Sequence, residues 1–294
     1  MPNLKEVKNR IKSVKSTQQI TKAMKMVAAS KLRRAQDGIL QMRPYAEKLN
    51  GILQNVTQGA DQDAQISYAE EREVNNVLLV VITSDKGLCG GFNSNILKLT
   101  INHINKEYAD VQSAGGLTIL PLGKKSFEYF RKNGFNIIED YWEVFHQLSF
   151  DKVRKAADFT MGSFLSGKYD KVEIIYNEFK NVATQIQRID AFLPFEYADD
   201  EDDANESLEY IIEPSIEYII QDLIPQTLKI QFYKAVLESN ASEHGARMTA
   251  MDKATENAGE LLKDLTLMYN RTRQAAITKE ILEIVGGAEA LSQK

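Results

Sequence analysis

The sequence predicts an α/β protein with a long antiparallel coiled coil. In this fold class the N- and C-terminal helices pair, and a Rossmann-like, mostly parallel sheet domain lies between them in the chain. Three observations lead to it: a heptad pattern of apolar residues at the start, a long segment poor in proline and glycine at the end, and strand patterns alternating with helix patterns in the middle. The predicted parts are a first helix over 1–58, an α/β domain over 74–198, an acidic loop over 199–209 and a last helix over 212–292.

The first helix is predicted from an apolar seam that keeps its register over seven heptads. From Leu4, alternating steps of three and four residues reach sixteen positions, and thirteen of them are apolar. A sustained repeat of about 3.5 residues is typical of a coiled coil rather than of an ordinary surface helix. Pro44 is expected to kink the helix, because proline lacks an N–H and clashes with the preceding turn. The seam consists of Leu4, Val7, Ile11, Val14, Gln18, Thr21, Lys25, Ala28, Leu32, Ala35, Ile39, Met42, Ala46, Leu49, Leu53 and Val56.

The middle of the chain alternates between predicted strands and predicted helices. Residues 77–83 read VLLVVIT, a continuous apolar run of the kind found in a strand that is buried on both faces. This alternation favours a mostly parallel sheet with helices on its faces. Further strands are predicted at 117–122, 135–138, 172–176 and 182–195, and helices near 92–107, 124–133 and 150–166.

The last helix is predicted because Pro225 is the only proline from residue 216 to residue 291, and glycine is sparse. At ~1.5 Å per residue, a helix of ~70 residues would reach about 100 Å, which no compact domain of this size contains. The simplest arrangement is an antiparallel pair with the first helix. The preceding stretch 199–209 holds seven acidic residues and no basic one, and it is expected to be a solvated loop.

Composition and charge exclude several classes of protein. The net charge of −5 argues against a general nucleic-acid binder, although residues 1–43 carry eleven lysines and arginines against two acidic residues. Such a basic arm usually faces an anionic partner, and since no aromatic residue precedes Tyr45, a solvated face or an acidic protein sleeve is favoured over DNA. The single cysteine excludes an internal disulfide, and the three scattered histidines predict no metal site. No apolar run approaches the ~20 residues that a membrane span needs.

Two loops that contain glycine are candidates for phosphate binding. Residues 84–93, SDKGLCGGFN, follow a predicted buried strand and open a helix, where glycines can cradle a phosphate. The G-x-G-x-x-G spacing is absent, however, and Thr118 stands where a P-loop through Gly123-Lys124-Lys125-Ser126 would need its first glycine. Tight strand-to-helix turns are therefore favoured at both places. Cys89 is expected to be a packed small residue rather than a nucleophile, because no histidine lies near it in the sequence.

Apolar residues spread beyond the seam near both ends of the chain. The first seam turns polar from Gln18 to Lys25, while apolar residues lie off it at the same level of the helix. An apolar surface that a two-helix seam cannot cover requires a further partner, so both termini are expected to lie inside another protein. These residues are Ile20, Met24, Met26 and Val27 near the start and Ile277, Ile281, Leu282, Ile284 and Val285 near the end.

Three stretches resemble the gamma subunit of rotary ATP synthases. They are ITKAMKMVAASKL at 20–32, SDKGLCGGFN at 84–93, and YNRTRQAAITKEI at 269–281, which EIVGGA continues at 283–288. The first and third lie at the two ends of the chain and the second follows the first predicted strand. The resemblance therefore covers the layout of the whole chain.

The resemblance implies a rotor shaft that performs no chemistry itself. In that family, the gamma subunit inserts a coiled coil into a ring of three α and three β subunits, and its globular part lies with the ε subunit on the membrane c-ring. Proton flow turns the c-ring and gamma together, and the asymmetric shaft makes the three catalytic β sites differ in nucleotide affinity. For this chain the resemblance implies no cofactor, no nucleic acid, and membrane contact only through the complex. We expect a peripheral position at the cytoplasmic face of a bacterial inner membrane, because no cleavable targeting segment precedes the first motif.

The resemblance also implies a set of contact residues between rotor and stator. Lys22, Met24 and Lys25 match the family's contact region on the first helix. Arg247, in the stretch ARMTAM, matches a further contact residue of the family. Gln274 and Thr278 match residues that meet a loop of the β subunit, and Glu280 matches a position linked to coupling. The set is Lys22, Met24, Lys25, Arg247, Gln274, Thr278 and Glu280.

Two features depart from the family, and two other interpretations stay open. The acidic stretch 199–209 has no counterpart that we can map, and the lone Cys89 gives no support for the thiol regulation of chloroplast enzymes. A non-rotary coiled-coil adaptor carrying an α/β domain would form homodimers through its seam. A nucleotide-binding enzyme that uses the 84–93 loop would bind nucleotide as an isolated chain, but no acid–base or metal constellation supports it.

Overall fold

The computed structural model describes residues 3–58, 68–195 and 216–292, so the acidic stretch 199–209 lies outside the described residues. The chain divides into two compact units. The first unit is Met1–Ala28 with Met248–Lys294, and the second unit is Ala29–Arg247. The division into 1–58, 74–198 and 212–292 stays a prediction.

A long helix lies at each end of the chain, and strands alternate with helices between them, as the sequence pattern predicts. None of the described helices is long and apolar enough to cross a membrane. The elements are α1 (Leu4–Gln58), β1 (Val77–Ile82), α2 (Phe92–Glu107), α3 (Ala109–Ser113), β2 (Leu117–Leu122), α4 (Lys124–Lys132), a 3₁₀ turn (Trp142–Phe145), α5 (Phe150–Leu165), β3 (Lys171–Phe179), β4 (Gln185–Leu193) and α6 (Ile216–Ser292).

The heptad seam of α1 is the buried side of the helix. Every seam position from Leu4 to Met42 is buried or half-buried, whereas nearly all other positions in this stretch are exposed. Within the first unit, Gln18 contacts Thr255 and Lys25 contacts Asp252, so rising numbers on α1 meet falling numbers on α6. The predicted antiparallel pairing of the terminal helices is therefore confirmed. Pro44 lies within α1, whose assigned range has no break there.

Packing of α1 against α6 continues inside the second unit. Leu32, Ala35 and Ala241 form a small buried core there, and Phe179 at the end of β3 and Val182 in the following loop pack against it. Alanine brings no side chain beyond Cβ, so Ala35 and Ala241 leave room in this core for Leu32 and its larger neighbours.

The second unit contains a four-stranded sheet with the order β2-β1-β3-β4. β1 pairs in parallel with β2 and with β3, while β4 pairs antiparallel with β3, so the predicted mostly parallel sheet is confirmed. All six residues of β1 are buried. Its even-numbered residues belong to one core, shared with α5 and α6, and its odd-numbered residues to a second core, shared with α2 and α4. Helices therefore cover both faces, which explains why the strand is apolar throughout.

The strand predicted at 135–138 is wrong. This segment makes a single parallel bridge, between Ile119 and Ile137, and no strand. Gly134 precedes it at a φ of 73°, and only two backbone hydrogen bonds join it to β2, from Ile119 N–H to Asn136 and from Ile138 N–H to Ile119. The apolar residues of the segment pack on the core without extending the sheet.

The strand predicted at 182–195 begins later, at Gln185. The carboxamide oxygen of Asn181 accepts hydrogen bonds from the N–H groups of Ala183 and Thr184, and it thereby fixes a turn. Asparagine commonly stabilises turns in this way. β3 is longer than predicted, because the hairpin with β4 adds backbone pairs up to Phe179.

Replacement of Tyr176 with phenylalanine should lower the free energy of unfolding by ~1–2 kcal/mol at pH 7. This is the low end for a hydrogen bond to a charged group, because its partner Asp190 is exposed. The buried Tyr176 hydroxyl donates to Asp190 Oδ2 over 2.8 Å, between β3 and β4. Burial, and then the charge of Asp190, raise the pKa of Tyr176 above its ordinary value of 10.0. The folded state therefore favours the neutral phenol, and its contribution is present below pH 10 and lost as the pH rises further.

Urea unfolding at pH 7 and pH 10.5 measures both effects. The wild-type chain should lose stability between these pH values by more than the Tyr176→Phe variant does. Tyr129→Phe is the matched control, because Tyr129 is exposed and the change should be close to neutral. Equal pH dependence of wild type and Tyr176→Phe would rule out this account.

Candidate functional site

The predicted contact residues of α1 lie around an ion pair in the first unit. Lys25 binds Asp252 of α6, with 2.5 Å between Nζ and Oδ1, and both side chains are partly exposed. Lys22 is exposed and Met24 is half-buried. A shallow groove beside the pair is lined by Gln18, Gln19, Lys22, Lys25, Met26, Asp252 and Thr255.

Large apolar side chains surround this groove without being covered. Ile20, Met26 and Val27 are each more than half exposed. Single exposed apolar residues are normal on a protein surface, but a cluster marks an interaction site. The expectation that a two-helix seam leaves apolar surface here is therefore confirmed.

The end of α6 carries a second exposed apolar surface. Ile277, Ile281, Leu282, Ile284 and Val285 are between 48% and 67% exposed, and they spread around the helix. Every one of these side chains could lose most of its contact with water inside a partner. The predicted contact residues in this stretch are also exposed and are Gln274, Thr278 and Glu280.

Arg247 differs from the other predicted contact residues, because it lies in the second unit and binds its own chain. Its guanidinium donates to the backbone carbonyls of Gly87 and Lys86, the latter over 3.1 Å, and to the Glu243 carboxylate. The side chains of Arg247 and Glu243 are only 12% and 11% exposed. The arginine therefore holds the 84–93 loop against α6.

Glu243 is a residue that sequence reasoning missed. Burial raises its pKa, whereas the hydrogen bond and charge of Arg247 act in the opposite direction. A buried carboxylate needs such a partner, because an uncompensated charge away from water is costly. The signal in the sequence was the four-residue spacing of an acid and an arginine on one helix face.

The 84–93 loop satisfies its own polar groups. Asn93 Oδ1 accepts the N–H of Ser84 over 2.9 Å, and Asn93 Nδ2 donates to Ser84 Oγ and to Cys89 Sγ. Cys89 is buried, as expected of a packed residue, and burial raises the pKa of its thiol. The thiol form is therefore favoured at neutral pH, which is unsuited to a nucleophile.

The turn at Gly123 likewise leaves little for a phosphate to bind. A phosphate site at a helix start requires free N–H groups that point at the ligand. At α4, the N–H of Lys124 donates to Asp85 Oδ1, that of Lys125 to the Ser84 carbonyl and that of Ser126 to Thr83 Oγ1. The strand-to-helix turns predicted here therefore fit the geometry better than nucleotide binding does.

A cluster of polar side chains around one buried carboxylate in the second unit was also not predicted from the sequence. Glu173 of β3 is buried and accepts a hydrogen bond from the Tyr108 hydroxyl over 2.7 Å. His103 Nε2 lies 2.6 Å from the same carboxylate and Lys171 Nζ lies 3.2 Å from it. The cluster joins α2 and the residue that follows it, Tyr108, to the sheet. The spacing of these residues along the chain does not predict it.

Comparison with known proteins gives matches over the full chain. The family described as ATP synthase matches residues 3–291. The chain is 59% identical to the ATP synthase gamma chain of Cytophaga hutchinsonii, covering 99% of this chain and all of the relative. It is 54% identical to the gamma chain of Christiangramia forsetii, again over 99% of this chain and all of the relative.

Solved structures give the same answer for the fold. A chain in the central stalk and c-ring structure of the Tetrahymena thermophila mitochondrial ATP synthase is 26% identical, with a TM-score of 0.55, and the match covers 80% of this chain and 99% of that one. A chain of the Euglena gracilis mitochondrial ATP synthase, in a structure of OSCP, F1 and c-ring, is 22% identical and supports the fold alone. Its TM-score is 0.65, and the match covers 98% of this chain and 94% of that one.

Proposed function

This chain belongs to the ATP synthase gamma-chain family, and we propose that it is the central rotor shaft of a proton-translocating F-type ATP synthase. As such it couples rotation of the membrane c-ring to ATP synthesis or hydrolysis at the β subunits. The observation that carries this function is the pair of exposed apolar surfaces in the first unit, on α1 around Met26 and on α6 around Ile281. A shaft that turns inside a protein sleeve needs an apolar surface of this kind, whereas a free-standing coiled coil does not.

The partners follow from the family. They are three α and three β subunits to one copy of this chain, the ε subunit, and the c-ring. The similar chains of Tetrahymena and Euglena come from structures of a central stalk with c-ring, of a rotor, and of F1 with c-ring. Contact with the membrane is through the complex, and the place of the chain is peripheral, at the cytoplasmic face of a bacterial inner membrane.

Within the ATPase complex this chain acts without catalysing a reaction itself. The capped N–H groups at α4 and the raised pKa of the Cys89 thiol support this division of labour. The chemistry then belongs to the β subunits, and the chain changes their affinities by contact alone.

Coupling by contact requires that the shaft meet the three β subunits differently. To move a site from 1:99 to 99:1 between two states takes ~5.5 kcal/mol of differential binding. Full burial of one large apolar side chain is worth about 1.5–3 kcal/mol. Two to four side chains that are buried against one β subunit and exposed toward another therefore supply the difference. The first unit offers at least eight exposed large apolar residues in these two surfaces: Ile20, Met26, Val27, Ile277, Ile281, Leu282, Ile284 and Val285.

Co-expression with the cognate α and β subunits should yield a 3:3:1 complex with steady ATP hydrolysis. Ile281→Asp with Leu282→Asp should lower the amount of complex or its turnover by about tenfold or more, since each aspartate would be buried without a partner. Gln274→Ala should weaken turnover less, because it removes one exposed amide.

The matched control is Lys263→Asp, an acid placed at an exposed position of α6 outside the apolar surface. The control variant should assemble and turn over like the wild type. If the wild-type chain instead elutes alone as a homodimer and ignores both subunits, the adaptor interpretation replaces the shaft.

A further inference from the structure

A polar layer interrupts the apolar seam between α1 and α6 in the first unit. The Thr21 and Thr255 hydroxyl oxygens lie 2.8 Å apart across the pair. Gln18 Nε2 donates to the Thr255 carbonyl over 3.4 Å, and Lys25 forms the ion pair with Asp252. We call Gln18, Thr21, Lys25, Asp252, Thr255 and Gly259 the polar layer.

Gly259 gives this layer its close fit. A Cβ atom at Gly259 would lie 3.0 Å from Gln18 Nε2, so the end of the glutamine side chain would have to shift by a few tenths of an ångström. The glycine therefore leaves room for the glutamine side chain at this level of the pair. A glycine inside a helix costs stability relative to alanine, so its presence here is consistent with a requirement for space.

Apolar contacts alone do not fix the register of two helices. The hydrophobic effect is non-directional, so within the first unit a slip by one heptad would bring another set of apolar residues into contact. Polar groups inside a seam favour one register over the others, because the hydrogen bonds between the two helices form in that register only.

The sequence penalises both one-heptad slips. A shift by seven residues would place Thr21 opposite Met248 or Leu262 in place of Thr255. The same shifts would place Lys25 opposite Gly245 or Gly259 in place of Asp252. The Lys25 ammonium group would lose its partner, and the hydroxyl of Thr21, a buried residue, would keep only its hydrogen bond to the Gln18 carbonyl of its own helix.

We propose that the polar layer fixes the register of α1 against α6 and so holds the two exposed apolar surfaces at set levels along the pair. Its members are positioning residues for coupling. This role rests on the proposed function, whereas the register itself is a property of the chain alone. If the two helices slid against each other, the two apolar surfaces would shift along the pair. Part of the applied torque would then move the helices past each other and would not reach the β subunits.

Cysteine trapping on the full chain tests the register directly. In a Cys89→Ala background, Val14→Cys with Leu262→Cys joins positions that the observed pairing places opposite each other, and Val14→Cys with Tyr269→Cys joins positions one heptad out of register. With the layer intact, oxidation should trap the first pair only. With Thr21, Lys25, Asp252 and Thr255 all changed to leucine, the shifted pair should form on the order of ten times more often.

The matched control replaces two exposed residues of the same helices, Lys15→Leu and Lys263→Leu, and should leave trapping unchanged. Leucine favours a helix, so circular dichroism should show undiminished helix content in every variant. If the leucine layer gives no rise in the shifted pair, or the control gives the same rise, the register role is wrong.

Coupling is measured separately, in the assembled complex. A variant that leaves Lys25 and Asp252 in place, Thr21→Leu with Thr255→Leu, should pump at most half as many protons per ATP hydrolysed as the wild type does. Full pumping by a variant whose register has slipped would overturn the positioning role. Failure of the wild-type chain to assemble would contradict the proposed function and leave the trapping result standing.

Discussion

Arg247→Ala should lower the free energy of unfolding of the second unit by ~3–5 kcal/mol, because it leaves Glu243 buried without its partner. The side chains of this pair are almost fully buried, and the guanidinium also holds the carbonyls of Lys86 and Gly87. The variant should therefore lose the attachment of the 84–93 loop as well as the ion pair. Urea unfolding of the purified chain, followed by circular dichroism, measures the change.

The double replacement Glu243→Gln with Arg247→Met is the informative control. Removal of both charges leaves no uncompensated ion, so it should cost clearly less than Arg247→Ala alone. Arg247→Lys should fall between the two, since an ammonium group cannot bind a carboxylate and two carbonyls in one plane. If the double variant is as unstable as the single one, the buried pair is not what Arg247 contributes.

These measurements also separate two roles for Arg247. The family resemblance implies a contact with the stator, whereas the structure shows contacts inside the chain. An Arg247→Ala complex with reduced turnover but a stable chain would favour the stator contact. Reduced turnover together with reduced stability would favour the internal contact.

Acidification from pH 6.5 to pH 4 should destabilise the second unit through His244 by up to ~3 kcal/mol. The pKa of His244 is lowered from 6.5 to about 4, first by burial and then by the charges of Lys31 and Arg247. The folded state therefore favours the neutral imidazole. Its contribution is fully present above pH 6.5 and is lost as the pH falls toward 4, because the unfolded chain takes up a proton that the folded chain refuses.

His244→Leu should flatten this part of the stability–pH curve. The side chain is 12% exposed, and the buried Nδ1 has no hydrogen-bond partner among the described residues, so an apolar replacement leaves no orphaned donor or acceptor of its own. His146→Gln is the matched control, since His146 is exposed and its loss should keep the wild-type slope. A His244→Leu curve parallel to wild type between pH 6.5 and 4 would show that this histidine is not the cause.

Much of the fold could be predicted because its elements repeat a simple pattern. The seam from Leu4 to Met42 follows a 3.5-residue repeat, and burial in the structure follows the seam. β1 is apolar at every position, since two cores share it. The segment at 135–138 is also mostly apolar, but it is short, carries the exposed Asn136 and is too weakly bonded to β2 to extend the sheet.

The site could be predicted only in part, because the contacts that define it join distant parts of the chain. Exposed residues such as Ile281 were recognisable, since a two-helix seam cannot cover every side of a helix. The bond from Arg247 to Gly87 spans 160 residues of sequence, and no local pattern announces it. The facing residues Asp252 and Thr255 become visible only when the register of the pair is known.

The first unit is built from both ends of the chain, so its N-terminal part must wait during synthesis for its C-terminal part. Its two parts are Met1–Ala28 and Met248–Lys294, so the ribosome makes the whole second unit between them. At about 5–20 residues per second, Met248 follows Ala28 by roughly 10–45 seconds. Throughout this interval the seam residues of the first 28 positions have no α6 to pair with. A nascent chain therefore carries an unpaired apolar helix surface until its last residues emerge, and it is during this interval that a chaperone would find the most to bind.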